Sequence, residues 1–274
     1  MSILELIVPV GLGDLIHIKA MLDPIKSNYN QIKLSFHKDL VRVFHGDNPE
    51  YYKILDEFGE LFFSEPPYLL TTLSGIQLTS PMQIATNNRI MLHKPNLKHL
   101  LCKGNPLQLT DEYIVLTTKV RYLSRASFNE KAHSFWQTIN LLSQKYKIVI
   151  LGERVVEMNQ EYIYHTAEYI YGIYDDIIHN IPSSKLIDLT IPALGINSSN
   201  LQQIQQDCLI MKNAKAVITL GVGGNFSMAT AVANTIGYRE DQHDIFEVIY
   251  NRNYPDAFIT KNWPAFINTL NKYL

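Results

Sequence analysis

The sequence predicts an α/β protein built from two Rossmann-like units that face each other. Three observations predict it. Short apolar, β-branched runs alternate with stretches of helical spacing, which is the pattern of strand–helix crossovers in a parallel sheet. The alternation begins afresh at residue 113, after a polar, turn-rich stretch at 103–112. The chain has 274 residues, whereas a typical domain needs only ~100–150. We place the units at 1–106 and 107–274, with the terminal helix free to pack back on the first.

The elements follow in order. Residues 3–10 (ILELIVPV) read as a buried strand ending in Gly11-Leu12-Gly13-Asp14. Ile18, Leu22 and Ile25 have helical spacing, so a helix covers 15–25. A strand covers 31–36, helical stretches 40–44 and 49–58, and a third strand 60–63. Pro66, Pro67, Pro81 and Pro95 interrupt 64–100, where no element is assigned. The second unit opens with a strand at 113–118, a helix at 128–146 and a strand at 147–151. A Tyr-rich helix covers 160–178, followed by a strand at 186–189. Ser198 and Ser199 cap a helix running to 212. A strand at 214–220, a turn at 221–225 and a helix at 226–236 come next. A last strand covers 245–250 and a terminal helix 263–274. The chain carries no internal repeat.

Composition narrows the function. Hydrophobic residues make up 46% and charged residues 18%, which excludes a disordered tail, a coiled coil and a collagen-like chain. Twenty-four Lys and Arg against 26 Asp and Glu leave a net charge of -2, with no long run of either sign. That argues against a basic nucleic-acid-binding face. Cys102 and Cys208 form neither a disulfide framework nor a metal spacing and fit a reducing compartment. No apolar run reaches the ~18 residues of a membrane span, and the N-terminus lacks a signal-peptide pattern. We expect a cytoplasmic protein, with loose attachment to a membrane left open.

In open α/β sheets ligands sit beyond the carboxyl ends of the strands, so those turns hold the candidates. Gly11-Leu12-Gly13-Asp14 lets a ligand approach the backbone at Gly13 and sets Asp14 at a helix mouth, with His17 on the same face. The same pair would serve equally as a cap and a packed core side chain. Gly221-Val222-Gly223-Gly224-Asn225-Phe226-Ser227 supplies a row of amides at a helix N-terminus, suited to phosphate. Asn225 or Ser227 could instead cap the helix. Lys119, Arg121 and Arg125 follow the first strand of the second unit and can hold phosphate oxygens, or form a solvated loop. Glu153 could bond ribose hydroxyls or form a surface ion pair. No His, Cys or carboxylate set has metal spacing. An NAD(P)-dependent oxidoreductase using Gly11 and Gly13 is a competing reading, but position 16 is Ile where the fingerprint needs glycine. A non-catalytic nucleotide- or sugar-binding subunit is another.

The stretch GLGDLIHIKAML resembles the N-terminal motif of the ADP-heptose lipopolysaccharide heptosyltransferases, glycosyltransferase family 9. VILGERVVEMNQEY and AKAVITLGVGGNFSMATAVANTIG resemble that family's two C-terminal donor-binding stretches. The resemblance implies a GT-B fold, with the donor nucleotide held mainly by the C-terminal unit. It implies a hexosyl- or heptosyltransferase-like enzyme that uses a nucleotide-diphosphate sugar as substrate, without cofactor or metal, and a glycan or other hydroxyl acceptor. It puts the catalytic base on Asp14 and the matching His on His17. Donor and phosphate contacts fall on Gly13, Lys119, Arg121, Arg125, Glu153, Gly223, Gly224, Asn225, Phe226 and Ser227. The family's Asp-Ser-Gly-Pro-Met-His turn is replaced here by Gly221–Phe226, without its Asp or His.

Overall fold

A computed structural model describes residues 3–7, 12–23, 26–37, 49–63, 68–70, 94, 97–105, 107–156, 169–192, 201–221, 224–240 and 254–274. Three parallel strands, β1 (Ile3–Ile7), β2 (Gln31–His37) and β3 (Tyr68–Leu70), form the first sheet in that order. Helices α1 (Leu12–Leu22), α2 (Pro49–Phe63) and the short α3 (Lys98–Leu101) accompany it. The strand expected at 60–63 is helix. Ile54, Leu55, Phe58 and Phe62 are buried at helical spacing, and the Phe58 and Phe62 rings meet edge to face at 5.2 Å. That stripe continues the helix to Phe63, and the strand follows at Tyr68. The helix expected at 40–44 lies outside the described residues.

The second sheet has six parallel strands in the order β11-β10-β9-β4-β6-β8. They are β4 (Tyr113–Thr117), β6 (Lys147–Leu151), β8 (Leu186–Asp188), β9 (Val217–Leu220), β10 (Thr235–Tyr238) and β11 (Ala257–Thr260). A two-stranded antiparallel ribbon pairs β5 (Lys119–Arg121) with β7 (Ile170–Gly172). Over its described part the Tyr-rich helix is replaced: Tyr171 lies in β7, paired to Val120, and helix α5 (Tyr174–Asn180) starts only after it, while 157–168 lie outside the described residues. Asp175 and Asp176 in its first turn suit the positive end of the helix dipole. Ribbon pairing outweighs the helical spacing of the tyrosines. The helix predicted at 226–236 is also shortened. α7 (Gly224–Val232) ends early and Thr235 begins β10, a strand whose residues are all buried. The strand expected at 245–250 and the cap at Ser198-Ser199 lie outside the described residues.

Central strands are apolar on both faces, as a sheet covered on both sides requires. Ile114, Leu116, Ile148, Ile150, Ile218 and Leu220 face a core built with α4 (Arg125–Lys145), α5 and α8 (Trp263–Asn271). Phe128, Phe135 and Phe266 are fully buried there, each worth roughly 1.5–3 kcal/mol in transfer from water. The terminal helix, free by sequence to return to the first unit, packs on α4 and β10 instead: Trp263 Nε1 donates to Ser134 Oγ at 2.9 Å. Its start is set by Asn262, which caps Ala265 N, and by Pro264 in the first turn.

Tyr113, Val115, Val149, Leu151 and Val217 face the opposite core, built with α6 (Leu201–Asn213) and α7. This second core does not stop at the unit boundary. It takes in Leu15, Ile18 and Leu22 of α1 and Leu55, Phe58 and Phe62 of α2. Helices α1 and α7 pack directly on each other. Among the described residues no helix is long and apolar enough to cross a membrane.

Candidate functional site

Strand order defines the place to look. From β4 the chain builds outward through β6 to β8, then returns to β9 beside β4 and builds the other way through β10 to β11. The reversal opens a crevice at the carboxyl ends of β4 and β9, where such sheets bind ligands. Two glycines with left-handed backbone line it. Gly152, after β6, has φ +110°, and a Cβ there would lie 2.5 Å from Thr118 Oγ1. Gly221, after β9, has φ +107°, and a Cβ would lie 1.7 Å from the Arg121 carbonyl oxygen. Both positions need a residue without a side chain, and the chain segments after β4, β6 and β9 can therefore touch.

Thr118 anchors the meeting point. It is buried, its hydroxyl donates to Leu151 O at 3.2 Å, and its carbonyl accepts from Ile173 N at 2.8 Å. Asn225, in the first turn of α7, reaches the same spot, with Nδ2 3.6 Å from the Cβ position of Gly152. Lys119 and Glu153 are half-buried beside it and feel each other's charge. Burial pulls the Lys119 ammonium below its usual range, Glu153 pushes it back up, and Arg121 adds a further downward push. Burial raises the Glu153 carboxyl above its usual range, and Lys119 opposes that. Perturbed groups of this kind in a crevice make Lys119 and Glu153 candidates for contact with a polar ligand.

The structure thus brings together Lys119, Arg121, Glu153 and Asn225. Arg121 also stacks on Tyr122, whose φ of 60° is the one positive value among the described non-glycine residues. Arg239 packs on the same ring, 5.6 Å from its centroid, and is 3% exposed. Sequence reasoning missed Arg239 because it took Thr235 and Ile236 for helix. The signal was present, since Arg239 directly follows the strand β10.

Other candidates are placed differently. Arg125 is committed to Asp176 in a bidentate pair at 2.8 and 3.0 Å, and its guanidinium stacks on Tyr171. Phe226 is 1% exposed and packs against Gly237 in β10, so only its backbone belongs to the turn. Gly13 is buried inside α1. Gly224 begins α7, while Gly223 lies outside the described residues. Asp14 stands in the first turn of α1, one turn before His17; its side chain is outside what is described. His17 is buried and shares a 3.2 Å hydrogen bond with the buried Ser227 of α7. Burial holds its imidazole down to about 4, from an ordinary 6.5, so the ring is neutral at physiological pH.

No protein-family model and no curated protein matches the chain. Solved structures do. E. coli ADP-heptose LPS heptosyltransferase II superposes with a TM-score of 0.52 at 11% identity, covering 100% of this chain and 98% of that one. A glycosyl transferase family 9 structure from Veillonella parvula superposes with a TM-score of 0.51 at 12% identity, covering 99% and 89%. The likeness runs over both sheets. The chain therefore has the Rossmann-like fold of GT-B type, with which its two parallel sheets agree.

Proposed function

We propose that the protein transfers a sugar from a nucleotide-diphosphate donor to an acceptor hydroxyl, with inversion and without a metal. One observation carries this reading: at the switch point of the second sheet Lys119 and Glu153 feel each other's charge, and Asn225 Nδ2 and Thr118 both lie against Gly152. The fold shared with heptosyltransferases supports it.

The chemistry follows from the residues. The acceptor oxygen attacks the anomeric carbon as the bond from that carbon to the diphosphate oxygen breaks. The leaving diphosphate takes the bonding electrons, and Asp14 takes the acceptor's proton. Positive charge spreads over the sugar ring in an oxocarbenium-like transition state. Negative charge grows on the diphosphate, where Lys119, Arg121 and the first-turn amides of α7 can meet it. Preorganised donors of this kind lower the barrier by about 3–4 kcal/mol each. Glu153 is suited to accept hydrogen bonds from ribose hydroxyls.

A thermal-shift screen of UDP, GDP, ADP and NADH, followed by transfer assays, tests the proposal. A nucleoside diphosphate should stabilise the protein, and Asp14→Asn should retain that binding while transfer falls by about 10²–10⁴-fold. Full turnover in Asp14→Asn would remove Asp14 as the base. Binding without any turnover in the wild type would leave a non-catalytic sugar-nucleotide-binding protein, and a response to NADH alone would favour an oxidoreductase.

A further inference from the structure

Helices α1 and α7 lie far apart in sequence, with 210 positions between His17 and Ser227, yet they share one core. Leu15, Ile18 and Leu22 on α1 and Met228, Ala229 and Val232 on α7 are buried together. Such a contact is adhesive but not directional, because apolar burial depends on area and hardly on register. The buried Ala229 and Ala231 of α7 add no long side chain that could interlock with α1. A hydrogen bond is directional, and the one between His17 Nε2 and Ser227 Oγ lies inside this contact. The buried Ser227 hydroxyl is costly to leave unpaired. Sliding either helix by part of a turn would break their bond.

We propose that His17 and Ser227 are positioning residues: their bond sets the register of α1 against α7. It thereby fixes the spacing between Asp14, one turn earlier on α1, and the first-turn amides of α7. What those two turns do rests on the transfer reading above; the register itself does not. His17 acts through Asp14 and does not touch the reacting atoms.

The test combines kinetics with amide hydrogen exchange on Ser227→Ala, His17→Ala, the double variant and His17→Gln. Each alanine variant should lower kcat about tenfold, since small misplacements of reacting groups have effects of that size or larger. Donor KM should change less than about threefold, because the crevice around Thr118 is built without His17. The double variant should be no slower than the worse single, as expected for two partners of one bond. His17→Gln offers a nitrogen or oxygen to the serine and should recover most of the rate. Exchange at the α1 amides from Ile16 onward, which are bonded within the helix, should quicken in Ser227→Ala. Multiplying effects in the double variant, or unaltered exchange in α1, would overturn the proposal. If the wild type turns over no donor, the transfer reading fails by itself and the exchange experiment still decides the register. Should His17→Ala not fold, Ser227→Ala, which removes a single oxygen, carries the test.

Discussion

Replacing His17 with glutamine should remove a specific acid sensitivity from the protein. In the folded chain the imidazole is buried and resists protonation until about pH 4, whereas its ordinary value is 6.5. The unfolded chain therefore binds a proton below pH 6.5 that the folded chain refuses until about pH 4. Stability contributed by the neutral ring is present above 6.5 and is lost as pH falls through that window. Each pH unit inside it is worth about 1.4 kcal/mol. Lowering the pH from 7 to 5 should then cost the wild type about 2 kcal/mol through this residue alone. Glutamine does not titrate, so His17→Gln should lack that component while sharing the background from every carboxylate. Urea unfolding at the two pH values measures it. At pH 7 the variant should be no more stable than the wild type, and by pH 5 the gap should shift in its favour by about 2 kcal/mol, or about 4–8 °C in Tm. Parallel decline of the two proteins would refute the argument, since it would mean that the imidazole is hydrated or already charged in the fold.

Four further predictions concern the crevice and its surroundings. Gly221→Ala combines a left-handed backbone with a Cβ 1.7 Å from the Arg121 carbonyl oxygen; it should cost about 3 kcal/mol or more, seen as a fall in Tm or loss of soluble protein. Lys119→Ala should weaken nucleoside-diphosphate binding by about 1.5–3 kcal/mol, the range for a hydrogen bond to a charged group, measured by calorimetry. A wild-type titration on the alkaline side in buffers of different ionisation enthalpy should show proton uptake, because the negative charge of a bound phosphate offsets the burial that depresses Lys119. Arg125→Ala should cost no more than about 1 kcal/mol despite its bidentate pair with Asp176, because the two side chains are 39% and 26% exposed and water screens them; chemical denaturation checks it.

How much of this was legible in the sequence depends on the range of the forces involved. Alternating apolar runs and glycine turns expose the parallel sheets, since a strand covered on both faces must be apolar throughout and the turns after β6 and β9 admit no side chain. The positions of Lys119, Glu153 and Asn225 just after strands were legible the same way, because strand ends can be read locally. Elements whose stability comes from a distant partner were missed or misread. The ribbon of β5 and β7 joins Lys119–Arg121 to Ile170–Gly172, and no local pattern announces that pairing. β10 was taken for the tail of a helix, which hid Arg239.

Side-chain roles divided along the same line. Sequence established that Asp14 and His17 share a helix one turn apart and that cations follow β4. Only the tertiary structure decided that Arg125 is taken by Asp176, that Phe226 belongs to the core, and that His17 meets Ser227 across the two units. Residue type tells what a group can bond to, and helical or strand period tells which neighbours it shares within an element. Which groups from remote segments are buried against one another is set by packing of the whole chain, and burial and partner together fix whether an ionisable side chain serves a ligand or the fold.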